Sequence, residues 1–339
     1  SLKSSPDAIG NRLGEYLVRE HPGQFSAYNI IKGFLNLTVA DGFWLDILKT
    51  NHNNSTYGQL PSNGRKVMVE YSSPNTNKPL HLGHLRNNFL GWSVAEIMKA
   101  SGYEVIKSCI VNDRGIHICK SMIAWEKFAN GATPQSTGIK GDHLVGDYYV
   151  LFEKELKLQA APLIDQLLSE DFSGFNTEEL GVLPTIIKVY KTQLINNEGK
   201  TKIPDDQAAN YDHIVDFARK QTPIMKEAQQ MLQDWEAGKP EVMDLWRKMN
   251  GWVYEGFNTT YERIGSDFAI TYYESNTYLL GKEIVQQGLA KGIFTRDADN
   301  SVWIDLTADG LDRKIVQRKD GTSVYITQDI GLAQQKYEQ

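Results

Sequence analysis

Residues 67–84 constrain this chain more than any other stretch. A short apolar run, Val67-Met68-Val69, ends at Glu70, and a loop carrying Pro74 and Pro79 leads into His81-Leu82-Gly83-His84. The spacing of Leu82, Leu85, Phe89, Val94, Ile97 and Met98 predicts a helix to about Ser101, with those residues as its apolar stripe and Gly102 as its stop. A strand that feeds a helix through a tight loop is the unit of an open parallel sheet, and such sheets bind ligands at the carboxyl edge of their strands. The start of the helix offers free N–H groups and the positive end of a dipole, which suits phosphate. Val105–Val111 reads as a second strand ending at Asn112-Asp113-Arg114-Gly115, so two such loops lie side by side and form a crevice.

The rest of the chain is arranged around this unit. Residues 1–63 read as a small α+β domain, with a helix over 9–18 (Ile9, Leu13, Tyr16 and Leu17 on one face), a strand at Phe34–Val39 and a short helix from Phe43. The polar run from Asn51 to Lys66 reads as a linker. Residues 64–117 form the first half of a nucleotide-binding domain, and 118–236 read as a mostly helical insertion. The sheet resumes within 237–275, near Phe268–Tyr273. Residues 276–322 form a second insertion with β structure and an Asp320-Gly321 turn, and 323–339 return to the main domain, with Val324–Asp329 as a strand. The fold class is therefore α/β: a Rossmann-like domain with two insertions, preceded by a small α+β domain.

At 339 residues the chain is too long for one ordinary core. Its two cysteines, Cys109 and Cys119, are too few for a disulfide framework and wrongly spaced for a zinc knuckle, so reduced thiols in a cytoplasmic protein are expected. No apolar run approaches the ~20 residues of a membrane helix, and Ser1–Ser5 lacks the apolar core of a signal peptide. The net charge of −6 gives no bulk support for nucleic-acid binding, so any RNA contact has to be local.

Each member of His81-Leu82-Gly83-His84 has a use: Gly83 opens the backbone to a base or a phosphate, and both imidazoles can donate to oxygens whose charge grows during attack at phosphorus. A His-x-Gly-His signature after a strand resembles that of the class I aminoacyl-tRNA synthetases. The longer string Glu70-Tyr71-Ser72-Ser73-Pro74-Asn75, then Lys78-Pro79-Leu80-His81-Leu82-Gly83-His84-Leu85-Arg86-Asn87, is similar to the arginyl-tRNA synthetases in particular. Phe34-Leu35-Asn36 resembles that family's N-terminal tRNA-contacting domain, Asn112–Gly115 its usual Gly-Asp-Trp-Gly, and Tyr325-Ile326-Thr327-Gln328-Asp329 its Tyr-x-Thr-Arg-Asp. Gln328 and Arg114 depart from the common pattern.

The resemblance implies ATP-dependent activation of L-arginine to arginyl-adenylate, followed by transfer to tRNA(Arg). ATP and Mg2+ are the implied cofactors. His81 and His84 would be catalytic; His81, Gly83, His84 and Lys78 would hold ATP. Glu70, Asn75, His81, Tyr325 and Asp329 would hold arginine. Physics agrees with the last set, since a charged planar guanidinium calls for carboxylates in bidentate reach. Asp329 could also cap the following helix, a role that does not exclude the first. Phe34 and Asn36 fit a stacked tRNA base, or equally a core aromatic and a turn residue. Arg313, Lys314, Arg318 and Lys319 fit a tRNA backbone contact or a solvated hairpin face. A second ATP signature of Lys-Met-Ser-Lys-Ser type and a helical anticodon-binding domain are expected beyond residue 339, which makes this chain a fragment expected to be inactive alone. A monomer without a metal site of its own and without membrane association is expected. The alternatives left open are another class I synthetase and a non-catalytic tRNA-binding paralogue.

Overall fold

The computed structural model describes residues 4–196, 204–278, 280–319, 321 and 324–338, without the side chains of Lys282, Tyr325 and Gln328. The chain divides into two compact units, Ser1–Arg65 with Met98–Glu104, and Lys66–Ile97 with Val105–Gln339. Among the described residues no helix is long and apolar enough to cross a membrane.

In the first unit helix α1 (Pro6–Glu20) packs on an antiparallel pair, β1 (Phe25–Ile31) and β2 (Phe34–Val39), followed by α2 (Asp41–Asn51). The Ser5 side chain caps α1 by accepting from the Ala8 N–H at 3.2 Å. The expected Ile9, Leu13, Tyr16 and Leu17 stripe is buried only in part, with Ile9 and Leu17 half-buried. The buried residues of α1 are Gly10 and Gly14, while Leu13 and Tyr16 stay about half exposed. The reason is close approach: a Cβ on Gly14 would sit 2.3 Å from the Tyr28 ring, and one on Gly10 2.7 Å from Ile30 Cδ1. The bulk comes from the strand and the groove from the helix. Residues 60–63, expected as a free linker, are tied down by Leu60 N–H on Ala100 O at 2.7 Å and Asn63 N–H on Gly102 O at 2.9 Å.

The second unit is built on a three-stranded sheet in the order β3 (Lys66–Glu70), β4 (Glu104–Val111), β5 (Ile270–Tyr273), with β4 and β5 parallel. Helix α3 (Leu82–Ala100) follows β3. It buries Asn88 and Ala95, whereas Leu82, Phe89, Val94 and Ile97 of the expected stripe are exposed. Gly91 explains the orientation, because a Cβ there would lie 2.3 Å from the Cβ of Tyr71.

After β4 come α4 (Ile116–Phe128), α5 (Pro134–Thr137), α6 (Gly141–Leu168), α7 (Thr177–Leu180), α8 (Leu183–Asn196), α9 (Asp205–Gln221), α10 (Pro223–Glu236) and α11 (Pro240–Ile264). Helices α4, α6, α10 and α11 share one core that includes Met122, Phe152, Ile224, Met249, Val253 and Phe257. A second core, with Leu167, Ile187 and Ile214, joins the end of α6 to α8 and α9.

Beyond β5 lie α12 (Glu274–Thr277), α13 (Leu280–Ala290), the antiparallel β6 (Phe294–Arg296), β7 (Val302–Ile304) and β8 (Lys314–Gln317), and α14 (Tyr325–Tyr337). The expected strand at 324–329 is therefore a helix. Val, Tyr, Ile and Thr favour strands, but tertiary packing overrides that preference here. Gly331 and Gly281 let α13 and α14 approach closely, since a Cβ on Gly331 would lie 2.6 Å from that of Leu280. The Thr327 hydroxyl donates to the Val316 carbonyl and anchors the helix start to β8. Asp320 and Thr322 of the expected turn lie outside the described residues.

Candidate active site

The loop after β3 is strained and held. Ser72 and Ser73 have φ of +73° and +45°, a region that L residues seldom occupy without compensation. For Ser72 the compensation is visible. Its N–H donates to Asn87 Oδ1 at 2.5 Å, its hydroxyl shares a 2.6 Å hydrogen bond with the Tyr261 hydroxyl, and Asn88 Nδ2 donates to it at 3.1 Å. Asn88 also donates to the His84 carbonyl at 2.8 Å, which links the loop to the start of α3. The two crevice loops are then joined by a parallel bridge between Asn75 and Asn112, where Asn112 Nδ2 donates to Asn75 Oδ1 at 2.8 Å.

At the start of α3 the backbone sets the state of both imidazoles. The His81 N–H donates to His84 Nδ1 and the Gly83 N–H to His81 Nδ1, each at 3.1 Å. A ring nitrogen that accepts carries no proton, so each neutral ring has its proton on Nε2. The rings lie 4.0 Å apart. Burial first, then His81 and Lys78, hold the His84 imidazole below the ordinary histidine range, which keeps it neutral. Gly83 serves this geometry directly, because a Cβ there would lie 3.0 Å from His81 Cε1.

The end of β4 is fixed by a buried carboxylate. Asp113 is 1% exposed and accepts from the Tyr254 hydroxyl at 2.8 Å, the Ser275 N–H at 2.8 Å and the Ser275 hydroxyl at 2.6 Å. Its carbonyl accepts from Trp246 Nε1 at 2.6 Å and Asn250 Nδ2 at 3.0 Å. These bonds place Glu274, the residue before Ser275, beside the crevice. Burial pushes the Glu274 carboxyl up; Arg114 opposes this, and Asp113 and Asp329 add to it. Arg114 stacks on Tyr278 at 3.9 Å and pairs with Glu236 at 2.8 Å.

Of the residues singled out from sequence, His81, Gly83, His84 and Lys78 come together at one helix start, and Asn75 lies on the loop before it. Glu70 ends β3 with its carboxylate 2.5 Å from Lys336 Nζ of α14. Asp329 is exposed on the first turns of α14, within the field of Glu274. Asp329 does not cap the helix: the N-cap position is Val324. The Tyr325 side chain lies outside the described residues. Phe34 and Asn36 belong to the first unit; Phe34 is 74% exposed, so it is not a core aromatic. Arg313 pairs with Asp297 at 3.1 Å and Lys314 with Asp312 at 3.5 Å. Sequence reading missed Glu274 and Tyr254. The signal for Glu274 was a Tyr-Tyr-Glu-Ser run at a strand end, ambiguous without the partner Asp113, and Tyr254 is one more aromatic inside a long helix. Among the described residues no group of three or more His, Cys, Asp or Glu is placed to hold a metal ion.

A parallel sheet that carries a His-x-Gly-His helix start after its first strand and a buried Asp113 at the end of the next defines a class, and the chain belongs to it. Residues 47–159 and 174–339 match the family described as tRNA synthetases class I (R), catalytic domain. Within that class the chain is of the arginyl-tRNA synthetase family. It is 52% identical over 336 residues to the arginine–tRNA ligase of Flavobacterium psychrophilum, covering 98% of this chain and 48% of that one. It is 50% identical over 338 residues to the arginine–tRNA ligase of Amoebophilus asiaticus, covering 100% and 49%. The chain thus spans about half the length of the curated relatives it matches. The Thermus thermophilus arginyl-tRNA synthetase structure shares the fold, with a TM-score of 0.52 at 20% identity, over 98% of this chain and 45% of that one.

Proposed function

We propose that the chain supplies the ATP and L-arginine sites of an arginine–tRNA ligase that forms arginyl-adenylate and passes arginine to tRNA(Arg). The carboxylate oxygen of arginine attacks the α-phosphorus, the bond to the bridging oxygen breaks, and pyrophosphate leaves with its electron pair. No covalent enzyme intermediate forms. The Nε2–H groups of His81 and His84 donate to the phosphate oxygens as charge develops on them, and Lys78 adds a cation. Mg2+ arrives as part of the nucleotide substrate, on its phosphates.

The observations that carry the reading are the pair of imidazoles held as Nε2–H donors and the buried Glu274 carboxyl, which feels the charge of Asp329. Donors aimed at an anion and carboxylates suited to a guanidinium are the two halves that arginine activation needs. In this reading Glu274 and Asp329 hold the guanidinium with Tyr325, and with Glu70 once the substrate displaces its ion pair to Lys336. Asn75, whose Oδ1 is engaged by Asn112, offers its Nδ2 to the amino-acid head group with His81. Phe34 and Asn36 contact tRNA, and the protein works in the cytoplasm as a monomer. The test is pyrophosphate exchange into ATP by the full-length protein, with tRNA(Arg) present, across a panel of amino acids. Arginine alone should support exchange. A neutral amino acid that supports it while arginine does not overturns the reading.

A further inference from the structure

One cluster beside the histidines is not used by this reading. The loop that carries Lys78 seats on α6: a Cβ on Gly146 would lie 2.6 Å from Pro79 Cδ and 3.6 Å from Lys78 Cα, so only glycine admits the loop. Tyr149 lies three residues further along α6, on the same face. Its hydroxyl is 3.1 Å from Nδ1 of His117, in the first turn of α4, and the two rings meet edge-on at 6.0 Å. One turn of α6 therefore pins the Lys78 loop on one side and His117 on the other.

Lys78 acts electrostatically on both His84 and His117. For His117 burial comes first, then Lys120 on α4 and Lys78 on the loop, which hold it below the ordinary histidine range; Glu153 on α6 opposes them. Glu153 is already bound by Lys120 Nζ at 2.7 Å, so it offers little to a third partner. The result is an imidazole pair at the start of α3 and a third imidazole at the start of α4, with the Lys78 ammonium acting on both and Glu153 neutralised by Lys120. When the Tyr149 hydroxyl donates to Nδ1, His117 keeps its proton on Nε2, the same tautomer that the backbone imposes on His81 and His84.

We propose that His117, oriented by Tyr149 and backed by Lys78, forms a subsite for a polyphosphate: the β- and γ-phosphates of the bound nucleotide, which depart as pyrophosphate. This rests on the proposed reading of the same site as an ATP site and names a further residue in it. In the reverse direction the same subsite receives pyrophosphate before it attacks the adenylate.

The experiment compares wild type, His117→Ala, His117→Gln and Tyr149→Phe in the full-length protein. In arginine-dependent exchange, His117→Ala should raise the KM for ATP and for pyrophosphate about tenfold, the worth of one hydrogen bond to a charged group. The KM for arginine should be unchanged, Gln should recover part of the loss by restoring a donor, and Tyr149→Phe should show a smaller effect in the same direction. A purely structural role would move the arginine KM as well, and that outcome, or an unchanged pyrophosphate KM, overturns the subsite. Calorimetry with inorganic tripolyphosphate separates the two readings. If wild type binds tripolyphosphate about tenfold more tightly than His117→Ala but shows no exchange with arginine, the subsite stands and the amino-acid reading fails. Equal tripolyphosphate affinity in both proteins rejects the subsite whatever the exchange assay shows.

Discussion

Removing the Asp113 carboxylate tests the scaffold on which the site depends. Three donors converge on it, the hydroxyls of Tyr254 and Ser275 and the Ser275 N–H, in surroundings where Asp113 is 1% exposed. Burial, and then Asp113 itself, push the Tyr254 phenol well above the ordinary tyrosine range, so it stays a donor at any working pH. Asp113→Ala strands all three donors. The two hydroxyls can turn toward other acceptors, but the Ser275 N–H is fixed by the backbone. With roughly 1–3 kcal/mol for each buried donor left unpaired, the expected loss is about 3–5 kcal/mol. Tyr254→Phe removes one bond, leaves the carboxylate served by Ser275, and should cost about 1.5–2 kcal/mol. Asp113→Asn should fall between them, because its amide oxygen can still accept the Ser275 N–H while its nitrogen donates to a hydroxyl. Urea unfolding followed by tryptophan fluorescence reads this directly, since Trp246 donates to the Asp113 carbonyl and lies 5.5 Å from Trp235. A loss below about 1 kcal/mol for Asp113→Ala, or one no larger than that for Tyr254→Phe, would refute the argument.

Three further outcomes are expected. Gly83→Ala places a Cβ 3.0 Å from the His81 ring, so kcat for exchange should fall about tenfold or more as the imidazole is displaced, with the unfolding midpoint nearly unchanged; a stable variant with wild-type kcat counts against the tautomer argument. Under the proposed function Glu274, whose carboxyl is raised by burial, holds the guanidinium only when ionised, so the KM for arginine should rise as pH falls toward a value above the ordinary 4.5, and Glu274→Gln should abolish that dependence. Burial pushes the Cys109 and Cys119 thiols up to about 12, so neither should react with Ellman's reagent at pH 8 until denaturant is added; fast labelling of the folded protein contradicts this.

What was legible in the sequence follows from how its elements pack. The strand, loop and helix at 66–100 were readable because an apolar run, two prolines and a glycine each act locally. Which face a helix buries was readable only in part for α1 and α3. In both, glycines form the contact surface, Gly10 and Gly14 against Tyr28 and Ile30, and Gly91 against Tyr71. A reading that equates burial with large apolar residues turns such helices partly the wrong way: Ile9, Leu17, Leu85 and Met98 are half-buried, while the glycine faces take the closest contacts. The start of α14 misled for a related reason: its β-branched residues favour a strand, but Gly281, Gly331 and the Thr327 bond to β8 select a helix. Asp113 could be placed at a strand end, yet its role depends on Tyr254 and Ser275, more than 130 residues away. Glu274 stayed hidden because it becomes a site residue only once that anchor positions it.

The proposed function requires one crevice to hold a nucleotide on the imidazoles and a guanidinium on the carboxylates. A co-crystal structure of the full-length protein with L-arginine and a non-hydrolysable ATP analogue measures this most directly. The α-phosphate oxygens should lie within hydrogen-bond reach of the Nε2 atoms of His81 and His84, with the guanidinium between Glu274 and Asp329. A guanidinium bound away from both carboxylates, or phosphates that leave the two imidazoles untouched, would contradict it.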